Sequence, residues 1–155
     1  MIPLIVQSDS SRVVTVMLQD HFIVPIGIPG VTGNQHLVSH HGLDQSKIDQ
    51  LEQIEIRVLG CVNNLLNQMK AKEESGARLL DHTTMLFGSN LGNANAHSAT
   101  NLPLFLCGGG FKHGTFVKHD EHNNTPLSNL FLTMLNNVGL QTESFGQSTG
   151  ALSWS

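Results

Sequence analysis

Charge is scarce in this chain. Ionisable Asp, Glu, Lys and Arg make up 13% of its 155 residues, about half the roughly 25% usual for soluble domains. Only eight are Lys or Arg and the net charge is −4, so no basic stripe exists to neutralise a phosphate backbone and nucleic acid is not an expected partner. Long apolar runs are missing as well: the longest, residues 2–6 and 102–107, fall far short of the ~20 residues that a membrane-spanning helix needs. The start, Met1-Ile2-Pro3-Leu4-Ile5-Val6, has neither the basic region nor the small-residue cleavage site of a signal peptide, so the chain as written is expected to be soluble and cytoplasmic. The two cysteines, Cys61 and Cys107, fit no metal-binding spacing and no disulfide scaffold, and both are expected to be small buried hydrophobes.

What the chain has instead is neutral polarity, with thirteen Asn and nine His. Its length suits one ordinary domain with a real core. Residues 12–18, Arg-Val-Val-Thr-Val-Met-Leu, are β-branched and apolar at nearly every position, the pattern of a central strand covered on both faces. Residues 20–42 carry Pro25, Pro29 and four glycines, which predicts a long irregular loop. Residues 44–72 place Ile48, Leu51, Ile54, Val58, Val62, Leu65 and Met69 at spacings of three and four, a helix with one face on a sheet. Asp44 is its expected N-cap and Gly76 its terminator.

Two further apolar runs, 83–87 and 102–107, are each followed by small or polar residues and read as buried strands. Thr125-Pro126 opens a second helix, with Thr125 as N-cap and Pro126 at the first helical position, ending near Gly139. Alternating strands and helices predict a single α/β domain with a mostly parallel sheet flanked by helices. In such sheets ligands bind beyond the carboxyl ends of strands.

Three loops then concentrate the chemistry. His36-Leu37-Val38-Ser39-His40-His41-Gly42 carries the adjacent pair His40 and His41, which point to opposite sides of an extended backbone, so one site can use only one of them. The segment from Gly88 to His97, Gly-Ser-Asn-Leu-Gly-Asn-Ala-Asn-Ala-His, supplies Asn90, Asn95 and His97, whose oxygen and imidazole groups suit a divalent cation, calcium or zinc. Asn and Gly are equally the residues that tolerate turns. A third cluster, His113, His119, Asp120, Glu121 and His122, reads as a solvated connection into the second helix. A nucleophile elbow is absent because Ser89 stands one place early in Gly88-Ser89-Asn90-Leu91-Gly92. Gly108 to Gly110 match no phosphate-binding loop and read as a tight turn.

Taken together, Ser-His-His-Gly (39–42), Leu-Leu-Asp-His-Thr-Thr-Met-Leu-Phe-Gly-Ser-Asn-Leu-Gly-Asn-Ala-Asn-Ala-His (79–97), Asn-Leu-Pro-Leu-Phe-Leu-Cys-Gly-Gly-Gly (101–110), Thr-Pro-Leu-Ser-Asn-Leu (125–130) and Phe-Gly-Gln-Ser-Thr-Gly (145–150) resemble the C-terminal part of the bacterial family catalogued as domain of unknown function 1552. The resemblance begins within what looks like a helix ending near Val6 and Gln7, and the longer members it resembles are secreted. That family is distantly similar to the alkaline phosphatase and sulfatase superfamily, which implies an alkaline-phosphatase-like C-terminal half. It also implies metal ligands at a strand end, here Asn90 in place of the usual carboxylate, followed by His97.

The reading that joins these strands is a metal-assisted hydrolase of small ester-like bonds: phosphate, sulfate, carboxylic ester or lactone. His40 or His41 would act as base, His97 as metal ligand or base, and Asn90 and Asn95 as oxygen ligands or oxyanion donors. The substrate would be a small molecule. The alternative is a non-catalytic binding module or truncated remnant whose Asn- and His-rich loops hold a polar ligand, and a third reading pairs an exposed flank with a second copy as a homodimer.

Overall fold

The longest element follows directly from the three-and-four spacing of its apolar residues. In the computed structural model, which describes residues 1–18 and 21–154, helix α3 runs Gln45–Lys70. Asp44 caps it from an extended backbone, its side chain accepting from the Ser46 N–H and so satisfying a donor that the first turn leaves open. The helix stops at Lys70, with Ala71 as C-cap. Gly76 acts later than expected: with Ser75 it forms the two-residue turn between β1 (Glu73–Glu74) and β2 (Ala77–Arg78). Both turn residues are left-handed, at φ 52° and 82°, as a tight hairpin of right-twisting strands requires.

The chain divides into two compact units, one made of Met1–Leu79 with Asn93–Ser98, the other of residues 80–92 with those from 99 onward. In the first, α3 packs against α1 (Ile2–Gln7) and α2 (Gln35–Ser39). Its core is Val31, Val38 and Ile54, with Ile28 and Leu51 against them. The face expected to lie on a sheet therefore meets helices, and Ile56 and Leu59 of α3 stay exposed. So does Cys61, which the sequence pattern places in the interior. Residues 20–42 are not wholly irregular either, since α2 forms inside them.

Residues 12–18 are not a strand. Val13, Val16 and Met17 are 79%, 55% and 80% exposed, and no ladder forms on residues 13–18 among the described residues. Strand propensity records how well β-branched side chains suit a pleated surface; a strand exists only where a neighbour supplies hydrogen bonds, and here none does.

In the second unit, β3 (Thr84–Gly88) and β4 (Leu104–Gly108) pair antiparallel, with Thr84 opposite Gly108 and Phe87 opposite Phe105. They are half-buried rather than buried, and Phe105 is largely exposed. Helix α4 (Leu127–Asn137) carries the apolar stripe and buries Leu132. Its N-cap is Pro126, one residue later than expected, because the Thr125 hydroxyl is bonded to His119 Nδ1 instead. Buried Asn129 holds the tail: its Nδ2 donates to Thr149 Oγ1 and its Oδ1 accepts from the Thr149 N–H. The turn after β4 has Gly108, Gly109 and Gly110 all left-handed, at φ 70°, 64° and 74°. A Cβ on Gly108 would run into the carbonyl oxygens of Leu80 and Thr83.

The expected mostly parallel α/β sheet flanked by helices, like an alkaline phosphatase half, is thus overturned: the described residues hold two separate antiparallel two-stranded sheets. The reason lies in the connections. Parallel neighbours need a crossover, normally a helix, between them. No helix stands between β3 and β4, and α3 is followed by a hairpin of its own. Among the described residues no helix is long and apolar enough to cross a membrane.

Candidate functional site

Three imidazoles meet in the first unit. Helix α2 starts where Asn34, in extended conformation, accepts from the Leu37 N–H at 2.8 Å. His36 sits in its first turn and His40 is its C-cap, four positions on, so both project from the same side of the turn. Their ring centroids are 4.9 Å apart, edge to face. Phe22 lies against His36 at 5.2 Å, and His97 lies against His40 at 4.6 Å with the planes 65° apart. The column therefore reads Phe22, His36, His40, His97.

His97 is brought there by a tight loop. Asn93 and Ser98 exchange both backbone hydrogen bonds, at 3.3 and 2.9 Å, and Asn93 Oδ1 accepts from the Ala96 N–H. His97 itself is left-handed, at φ 51°, a conformation uncommon for L-residues though less so for histidine. The loop is fastened to the turn after α2 by Asn95, whose Oδ1 accepts from the Gly42 N–H at 3.0 Å.

Electrostatically the column is one-sided. Lys47 donates from Nζ to the His40 carbonyl oxygen at 3.2 Å. Partial burial pushes the half-buried His40 imidazole below its ordinary value, and His97, His36 and Lys47 push the same way. Each of these neighbours disfavours a proton on His40. A histidine so placed is neutral near pH 7 and free to accept a proton.

The structure separates the adjacent pair that the sequence could not. His40 joins the column, whereas His41 Nδ1 accepts from the Leu43 N–H two residues on, which leaves its ring proton for Nε2 and binds it to its own turn. His40, Asn95 and His97 thus belong to one assembly. Asn90 belongs to the second unit. His36 and Lys47 were not singled out in the sequence, although His-x-x-x-His on a helical turn was the available signal. His113, His119 and Asp120 serve locally: His113 Nε2 bonds the Gly108 carbonyl, and Asp120 Oδ1 accepts from the His122 and Asn123 N–H groups. Burial raises the Cys107 thiol above its usual value, which makes it a poor nucleophile.

The expected calcium or zinc would draw on His97, Asn90 and Asn95, and Asn90 lies in the second unit. Among the described residues no group of three or more His, Cys, Asp or Glu side chains is arranged to hold a metal ion. The Asn95 oxygen expected as a ligand already accepts from Gly42. What the arrangement does by itself is hold one imidazole beside a second, with the Lys47 Nζ on the carbonyl of the first. No family model, curated protein or solved structure matches the chain.

Proposed function

We propose that the chain is a hydrolase of small ester-like bonds in which His40 is the general base. The observation that carries this reading is the edge-to-face contact of His40 and His97 at 4.6 Å, in surroundings that keep His40 unprotonated. His40 takes a proton from a water molecule as that water attacks the ester centre, and returns it to the leaving alcohol. His97, exposed beside it, faces the solvent from which substrate arrives. The motifs that carry the family resemblance include both imidazoles, through residues 39–42 and 79–97. Among the described residues no three His, Cys, Asp or Glu side chains group to hold a metal, so the step is written for the imidazoles alone.

The competing reading, a binding module built on Asn-rich loops, is less favoured, since the amide oxygens of Asn93, Asn95 and Asn124 already accept from the backbone N–H groups of Ala96, Gly42 and Asn101. A screen of chromogenic carboxylic esters, lactones, phosphate monoesters and sulfate monoesters separates the two. Multiple turnovers, reduced about a hundredfold or more by His40→Ala, support the base assignment. Saturable binding of a polar ligand with no turnover would establish the binding module. Loss of less than half the activity in His97→Ala removes His97 from the site.

A further inference from the structure

We infer that Asn95 is the positioning residue of the imidazole pair: its side-chain oxygen, held on the Gly42 N–H, sets His97 against His40. Three observations converge on this. The Asn95 hydrogen bond joins segments 53 positions apart in sequence, so nothing local substitutes for it. The loop that bears Asn95 is closed on itself by the Asn93 and Ser98 bridge and by the Ala96 N–H on Asn93 Oδ1, so it moves as one piece. And the turn it grips is built for a forward-pointing N–H, with Gly42 and Leu43 both left-handed at φ 54° and 69°. A left-handed leucine is sterically costly, and it is kept where Leu43 N–H reaches His41 Nδ1 and Asp44 N–H reaches the His41 carbonyl. One amide oxygen therefore fixes the separation of two rings carried by different parts of the chain. The sequence suggests Asn95 as a metal ligand or oxyanion donor; the geometry gives its oxygen the Gly42 N–H as a partner.

As far as it concerns catalysis, this inference rests on the hydrolytic reading above, but the placement is tested without any substrate. In the full chain, two-dimensional NMR of the wild type is expected to show cross-peaks between the His40 and His97 ring protons. Asn95→Leu, similar in volume and lacking the acceptor, abolishes them, while amide shifts of the Ile54 and Leu132 regions, remote from the loop in sequence, report that the chain is still folded. Asn95→Asp retains the acceptor and retains the cross-peaks. If a hydrolysed ester is found, Asn95→Leu lowers kcat about tenfold or more with a smaller change in KM, as expected when a reacting group is displaced while substrate binding is kept, and Asn95→Asp restores most of it. Cross-peaks that persist unchanged in Asn95→Leu overturn the inference. Their disappearance in Asn95→Leu, in a chain that hydrolyses nothing, leaves the placement standing and removes the hydrolytic reading alone.

Discussion

Lys47 Nζ donates to the carbonyl oxygen of His40 at 3.2 Å, so a lysine side chain rests on the residue proposed as the general base. The groups around that ring are His36 from α2, Lys47 from α3 and His97 from the Asn93–Ser98 loop, and all three act against its protonation. Lys47→Met is accordingly expected to move the His40 titration upward, toward the unperturbed 6.5, as followed by ring-proton NMR. An unchanged or lowered value would show that the ammonium does not act on the ring.

The same depression makes stability depend on pH. With the folded value of His40 below the unfolded 6.5, the unfolded chain binds this proton first as pH falls, so stability is greatest above 6.5 and declines below it toward the folded value. Urea midpoints measured from about pH 8 to about pH 5 are expected to fall more steeply for wild type than for His40→Gln, the difference between the two curves isolating this group from the other histidines. Parallel curves would sink the prediction.

Gly108 and Gly110 offer a controlled comparison, because both are left-handed but only Gly108 is crowded. Gly110→Ala meets nothing within 4 Å and is expected to cost about 1 kcal/mol, from conformation alone. Gly108→Ala adds a collision with the Leu80 and Thr83 carbonyl oxygens, and roughly 3 kcal/mol or more is expected. Denaturant unfolding of the two variants checks the order; equal losses would contradict it.

Burial predicts a second contrast. Ile54 and Leu132 are 2% and 1% exposed, so Ile54→Ala and Leu132→Ala are each expected to cost roughly 2–5 kcal/mol. Val16→Lys, in the exposed segment 13–18, is expected to change stability by less than about 0.5 kcal/mol. A loss near that of the core variants would mean that the segment is a buried strand after all.

Metal content is directly measurable. Elemental analysis of wild type and His97→Ala, purified side by side without chelator, is expected to find far less than one calcium or zinc per chain in either, because among the described residues no three His, Cys, Asp or Glu side chains group for one. Near-stoichiometric metal in wild type that vanishes in His97→Ala would falsify the metal-free base and return Asn95 and His97 to the role of ligands.

How far the sequence alone reaches depends on the range of the signal. Helices α3 and α4, the strands near 84–88 and 104–108 and the glycine turn were legible, since periodicity and left-handed glycine are properties of neighbouring residues. What those elements pack against was not. Residues 13–18, which pair with no described strand, and 84–88, which pair antiparallel, are both short apolar runs; only a partner strand makes one of them a strand. Likewise nine histidines stood in the sequence, and His40 and His41 were equivalent there. The tertiary structure alone decided that His40 faces His97 while His41 turns to Leu43, because that choice hangs on a hydrogen bond between Gly42 and Asn95, 53 positions apart, which no local pattern encodes.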